Sequence, residues 1–426
     1  MSDRRDGQPF FPTRCLTRGG ILLLFATIGG LAAGGGFGWA AEHDRTARLR
    51  CGETFVATPI EIDEQGNVSF QTDSSLRTIP IKELVSWGAF RDSDRAPQIV
   101  LRDGSWLGGE IRELDADQLR LESLLWGRLS LPREAIRGIL FNPSPDPLTR
   151  DLAREQLLRP AREDRLYLEN GDVLSGQFQQ LQPSADGHAD TLRFATQGRP
   201  VLLAPENVTS LAFRFDTPTP SSPEPRMMIG LRDGSRLFVR RFETSGPLRR
   251  LLLDERIAFE TDPAGLWSEV TSLQPLGGEV RYLSDLELSG YRHIPLLQQT
   301  RELGRDRNPR GGYLRSGDRL YLKGLGMPTA ARVVCPLQGN FRRFEAELAL
   351  DDLAGNRGSV VFRVFLSDNA GGWEPAYTSP PIRGGEPPVS IAIDVTGAQA
   401  LVLLAEMGAW GDVRDYANWL NARLIP

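Results

Sequence analysis

Histidine, cysteine and lysine are scarce in this chain. Its 426 residues hold three histidines, three cysteines and two lysines, Lys82 and Lys323. Too few histidines and cysteines remain for zinc-finger arrays or a disulfide-dense scaffold. The net charge is −5 and the pI about 5.5, so a nucleic-acid footprint is missing. No Gly-x-Ser-x-Gly elbow, P-loop, His-Glu-x-x-His or Cys-x-x-Cys occurs, which removes the common catalytic frames. A glycosidase carboxylate pair is not visible in sequence, because 55 acids offer many pairs and no separations. Of the histidines, His293 in Tyr291-Arg292-His293-Ile294-Pro295 is the functional candidate, against a structural reading.

What is abundant is turn chemistry. Gly 44 and Pro 30 suit many turns and short strands. The length allows two to four domains. Residues 1–41 read as an export signal or an N-terminal anchor. Arg4, Arg5, Arg14 and Arg18 precede the apolar Ile21–Ile28, and Gly38-Trp39-Ala40-Ala41 offers a cleavage site after Ala40 or Ala41. The rival reading is one uncleaved span over residues 19–41. Either way the body is expected outside the cytoplasm, periplasmic, cell-surface or extracellular, with the membrane touched only through that segment. Cys51 and Cys335 then form one long-range disulfide or stay two separate thiols.

The middle of the chain repeats one frame: Leu101-Arg102-Asp103-Gly104-Ser105, Leu168-Glu169-Asn170-Gly171-Asp172 and Leu231-Arg232-Asp233-Gly234-Ser235. A fainter copy opens at Leu49-Arg50-Cys51-Gly52-Glu53. Asp-Gly and Asn-Gly between apolar residues predict tight hairpins with positive φ at both central positions. The copies span 46–92, 97–142, 165–215 and 227–275. Each holds four or five short strands, the size of a small β-barrel. The spacing, with Gly109 and Gly176 following, loosely resembles Sm-like or SH3-like barrels. Acidity and the export signal argue against RNA and for a scaffold role. A helical connector is expected over 143–164, with Leu148, Leu152, Leu157 and Leu158 as its apolar side. A proline-rich linker over 216–226 leaves copy four to pack with the C-terminal domain.

Residues 276–426 read as a β-sandwich. Phe344–Leu348, Val360–Leu366, Val389–Val395 and Ala400–Leu404 have strand patterning between turn clusters. Ordered motifs here resemble the NPCBM/NEW2 domain, the glycosyl hydrolase family 98 putative carbohydrate-binding module. They are Tyr321–Gly326, Phe341–Ala346 with Asp351-Asp352, Gly358–Val364, Ile393–Ala398 and Asp415–Leu424. The resemblance implies a galactose-binding-like jelly roll and glycan binding. The chain departs from the family where a histidine usually follows Leu-Gly, with Pro328 after Gly326 and Met327. It departs again at Asp415-Tyr416-Ala417-Asn418-Trp419, where the family often reads Asp-His-Ala-Asp-Trp.

Sugar sites pair an aromatic face with planar polar groups. Trp373, Tyr377 and Trp410, in glycine-rich surroundings, are the aromatic candidates, against a core-capping role. Arg343, Asp412 and Asp415 are the polar ones, while Trp419 is expected in the core. Related sandwiches often hold a structural calcium, for which Asp351 and Asp352 are candidates, the alternative being turn chemistry. No other cofactor is expected. The expected function is an exported, non-catalytic protein that binds a glycan or polysaccharide through its C-terminal module. The alternative is an envelope scaffold that meets envelope proteins and whose sandwich has lost sugar binding.

Overall fold

The computed structural model describes residues 45–93, 97–182, 191–215, 225–254, 256–296, 300–367, 371–409 and 411–426. The segment expected to be an export signal or anchor, residues 1–41, and Trp410 lie outside them. The fold is all β, a tandem array of four barrel-like copies followed by a sandwich. No helix among the described residues is long and apolar enough to cross a membrane.

Each copy repeats one plan. An opening strand turns into a second strand, an arm follows, and a short helical turn leads to a closing strand that pairs back onto the opening one. In copy two these are Gln98–Leu101, Trp106–Gly108, an arm of Glu110–Leu114, Gln118–Ser123 and Gly127–Pro132, then Arg133–Ala135 and Ile136–Leu140. Copies one and three have the same 3-10 turn at Ile81–Glu83 and Pro205–Asn207. Copy four has a helix in its place, Pro263–Glu269.

The opening turns differ from the sequence expectation. Only the glycine takes positive φ, at 93°, 86°, 88° and 86° in Gly52, Gly104, Gly171 and Gly234. Gly104 N donates to Leu101 O at 3.1 Å, and Leu101 N to Ser105 O at 2.8 Å. This is a three-residue loop closed by a left-handed glycine, so the residue before it keeps ordinary backbone. Gly109, the second glycine of copy two, serves a close crossing. A Cβ there would lie 2.6 Å from Leu121 and 3.1 Å from the Glu122 carbonyl.

The copies are not separate barrels. Their opening, second and closing strands share one sheet, in the spatial order one, four, two, three. Closing strands join copies one and four, with Trp87 opposite Leu273, and copies two and three, with Ile139 opposite Leu211. Second strands join copies four and two, with Arg236 opposite Trp106. One apolar core runs through all four copies. Copy four does meet the sandwich, through Met228, Phe238, Leu276 and Tyr282, but it is built into the array first.

The connector forms helix α1, Pro147–Leu157, capped by Asp146 Oδ2, which accepts from Thr149 N at 2.8 Å. Its buried face corrects the leucine-stripe expectation. Arg150, Asp151, Arg154 and Leu157 are buried, while Leu152 is 44% exposed. The charges are buried because they pair. Asp92 Oδ2 accepts from Arg154 Nη1 at 2.8 Å and from Arg315 Nη2 at 3.1 Å. Asp151 accepts from both terminal nitrogens of Arg315 and from Tyr313 N at 2.8 Å. Tyr313 and Arg315 precede the main sandwich strands, so this network fastens the sandwich to the array. Trp106 stacks on Tyr313 at 5.7 Å in the same contact.

The sandwich packs two sheets. One runs Gly304–Arg305, Gly324–Pro328, Tyr416–Ile425, Arg343–Leu350 and Val389–Asp394. The other runs Ser289–His293, Ala331–Pro336, Ala400–Met407, Ser359–Ser367 and Trp373–Thr378. Trp419 is fully buried between them, edge-on to Phe362 at 5.0 Å. Cys335 is buried in this core and Cys51 is exposed in the copy-one turn; both are free thiols.

Candidate functional site

The sequence candidates do not converge. Arg343 is taken by the fold: its Nη2 donates to Arg50 O in copy one at 2.5 Å, and its Nε to Glu345 Oε1 at 2.6 Å. Asp351 is 1% exposed and accepts from Asn418 Nδ2 at 2.8 Å, Arg315 N at 3.0 Å and Leu353 N at 3.2 Å. Asp352 accepts from Gly317 N at 2.8 Å and Asp318 N at 3.0 Å. Backbone and amide donors therefore occupy the oxygens suggested for calcium, and the two acids hold turns together. Among the described residues no cluster of three His, Cys, Asp or Glu side chains is arranged for a metal.

Trp373 and Tyr377 share a strand but not a face. Register runs from Tyr377 opposite Val364 to Pro375 opposite Phe365, so Ala376 is an extra residue. That bulge reverses the alternation. Tyr377 turns inward onto the sandwich core, and Trp373, opposite Ser367, stays 48% exposed on the outside. Their glycine-rich surroundings suggested exposed loops, but both rings lie on the strand Trp373–Thr378, and only Trp373 keeps the exposure expected of a loop.

One end of the sandwich gathers polar groups. Asp412 is exposed there, and the Trp410 candidate lies outside the described residues. Asp415 is 3% exposed, its Oδ1 accepting from Ser359 N at 2.8 Å. Burial pushes its carboxyl up to about 6. His293 Nδ1 accepts from Arg301 N at 3.1 Å, which leaves Nε2 for another partner. Burial, then the Arg301 cation, hold His293 below the usual imidazole range, against the pull of Asp412. Tyr291 donates to Arg301 O at 2.9 Å and fixes the same loop. The Arg301 guanidinium lies 5.9 Å from the Tyr416 ring. Tyr416 is opposite Pro328 in register.

That register bears on the departures from the family pattern. Pro328 and Tyr416 stand where the family usually has histidines, and they are cross-strand neighbours. Asn418, by contrast, is fully buried and donates to Asp351. The missing carboxylate there is a matter of folding, since an acid would face another acid. Sequence reasoning missed Arg301, Tyr291 and Tyr416. Arg301 is more than a hundred residues upstream of Tyr416, and no spacing connects them.

Residues 279–425 match the NPCBM/NEW2 domain family model. The boundary expected from sequence, 276–426, agrees within three residues. A putative endo-alpha-N-acetylgalactosaminidase of Renibacterium salmoninarum is 27% identical over 115 residues, 27% of this chain. The chain spans only 7% of that relative's length. Among solved structures, a CBM51 from Clostridium perfringens GH95 in complex with methyl-galactose is 24% identical. It covers 34% of this chain and 99% of its own, with a TM-score of 0.30. Tandem CBM51 modules of Sp3GH98 from Streptococcus pneumoniae are 12% identical and cover 89% of this chain and 99% of their own, with a TM-score of 0.29. The sandwich assignment stands on the strand pairing above, not on these overlaps. In the NPCBM domain of this chain, the Tyr416 end is the place where an aromatic ring, an arginine, a neutral imidazole and an exposed carboxylate come together.

Proposed function

We propose that this is an exported, non-catalytic protein that binds a glycan through the Tyr416 end of its NPCBM domain. The family match over 279–425 carries the reading. The chemistry of that end supports it. Tyr416 offers a ring face for sugar C–H groups, and Arg301, His293 Nε2 and Asp412 offer donors and acceptors for hydroxyls. The four-copy array acts as the rigid mount. Trp373, on the outside of the sheet, is too far along the fold to share this cluster and serves as a comparison position.

The test is a glycan array with the full chain, followed by calorimetry on any sugar bound. Arg301→Ala and Tyr416→Ala are expected to weaken binding at least about tenfold, the loss of one charge-assisted or stacking contact. Trp373→Ala is expected to change it little. Binding that survives both Arg301→Ala and Tyr416→Ala rules this end out.

The scaffold reading draws on a specific observation. The two departures from the family histidines are adjacent, and Arg343 and Asp415 are committed to internal hydrogen bonds. A silent array from a folded chain, with envelope proteins retained by the array of repeats, favours it.

A further inference from the structure

The joint between copies four and two has a local two-fold. Asp103 accepts from Ser105 N and Oγ, both at 2.8 Å, and the Ser105 hydroxyl accepts from Phe238 N at 2.9 Å. Asp233 holds Ser235 in the same way, and Ser235 Oγ accepts from Gly108 N at 3.0 Å. Each turn thus presents one oxygen to the backbone amide three residues beyond the equivalent oxygen of its mate. Trp106 Nε1 donates to Gly234 O and Arg236 Nη2 to Gly104 O, at 2.9 and 3.1 Å, completing the exchange.

Three of the four opening turns are covered. A Cβ on Gly104 would meet Phe238 at 3.6 Å, one on Gly234 would meet Ser93 at 2.5 Å, and one on Gly52 would meet the Arg343 guanidinium at 3.7 Å. Gly171 in copy three has nothing within 4 Å. Its turn is nonetheless built like the joined ones. Asn170 Oδ1 accepts from Asp172 N at 3.0 Å, and Asn170 Nδ2 donates to Asp172 Oδ2 at 2.7 Å. The remaining carboxylate oxygen is an acceptor where Ser105 and Ser235 have theirs. The second strand of copy three, Val173–Gln182, starts with Val173 51% exposed, and no described strand pairs with the outer edge of residues 173–175. Copy one lacks the tether, having Cys51 at that place, and its Glu53 is bound by Arg77 at 2.6 and 2.8 Å.

We propose that the open edge of copy three docks a second copy of this chain, two-fold, by the pairing that joins copies four and two. Asp172 of each protomer accepts from the Ser175 amide of the other, and the two Val173 side chains meet at the axis. An unpaired strand edge is a template for such addition, and a two-fold closes it without growing a filament. The occupant is a second copy because the pairing rule is internal to the chain and the edge is complementary to itself. The interface is short, so the dimer is expected in the weak class, with Kd in the range of about 10–100 µM. The assembly would carry two sandwiches and raise avidity for any repeating ligand.

Sedimentation of the full chain over about 1–300 µM tests this without any sugar. The expected result is a monomer–dimer equilibrium that Val173→Arg weakens at least tenfold, by facing two cations across the axis. Ser175→Pro, which removes the donated amide at an edge, is expected to do the same. Val56→Arg, on the second strand of copy one, is expected to leave it unchanged. A chain that stays monomeric throughout overturns the proposal. So does a dimer indifferent to Val173→Arg in a chain shown folded by circular dichroism, or one that Val56→Arg dissolves. Val173 is exposed, so that variant decides the matter even where the proline fails to fold.

Discussion

Inside the sandwich the side chains between the two sheets are apolar, with Trp419 against Phe362 at the centre. On the outer face of the array the seal is helix α1, whose buried side reads Arg150, Asp151, Arg154 and Leu157. Both surfaces exclude water. The first does so by burying groups that leave water readily. The second buries charges that stay only because Asp92 and Asp151 neutralise Arg154 and Arg315 at hydrogen-bond distance. The apolar seal can relax partly into a gap. The ionic seal has no such option, because a lost partner leaves a charge without water.

The largest expected effect is therefore at Asp151. Asp151→Ala strips the buried Arg315 of its two-oxygen partner and leaves it a single bond to Asp92, and should cost about 3–5 kcal/mol. Denaturant unfolding of the full chain measures it. The double variant Asp151→Leu with Arg315→Met removes both charges and should recover most of that loss. A cost below about 1 kcal/mol for the single variant would mean that apolar contacts such as Trp106 on Tyr313 are the true seal.

A smaller effect is expected where the sandwich has its own buried acid. Burial raises Asp351 to about 6, and Asn418 holds it with an amide donor at 2.8 Å. Asn418→Asp replaces that donor with a second carboxylate and should cost about 2–3 kcal/mol at pH 7. The pH dependence has a definite sign. An acid whose folded pKa is raised costs nothing below its unfolded value near 4, and the cost builds as pH rises from there and is complete above the folded pKa. The gap between Asn418→Asp and the parent chain should thus close as pH falls from about 7 to 4. Denaturant midpoints across that range read it, and a gap independent of pH would point to lost shape rather than charge.

The contrast also sorts what was legible in sequence. The sandwich strands, the core place of Trp419 and the repeat frames followed apolar periodicity and turn residues, and the structure has them. Helix α1 was legible as a helix from the spacing of its leucines, but its orientation was not. Leucines at mixed spacing suggested one face, and the partners that reverse it, Asp92 and Arg315, are distant in sequence. The shared sheet was hidden for a related reason, since closing-strand pairing between copies one and four leaves no local mark. Copies two and four did carry a sign in their Asp-Gly-Ser turns, where the serines link them. At the candidate site, Asp412 and Asp415 were already polar candidates in sequence. Arg301 was not, and the bulge at Ala376 separated Trp373 from Tyr377.

The smallest expected effect is on the same helix as the largest. Leu152 is one residue from Asp151 and is 44% exposed, so a helical turn of about 100° separates a buried charge from a solvated leucine. Leu152→Glu should shift stability by no more than about 0.5 kcal/mol, as for a surface position without a special contact. Its one neighbour of note is the Gly311 loop, where Leu152 Cδ2 would stand 3.8 Å from an added Cβ. That distance is ordinary contact across open surface. A loss above about 1.5 kcal/mol would show that the loop leans on the leucine and that apolar burial supplements the ion pairs. Indifference at 152 beside a large loss at 151 would show that α1 is oriented by its charges.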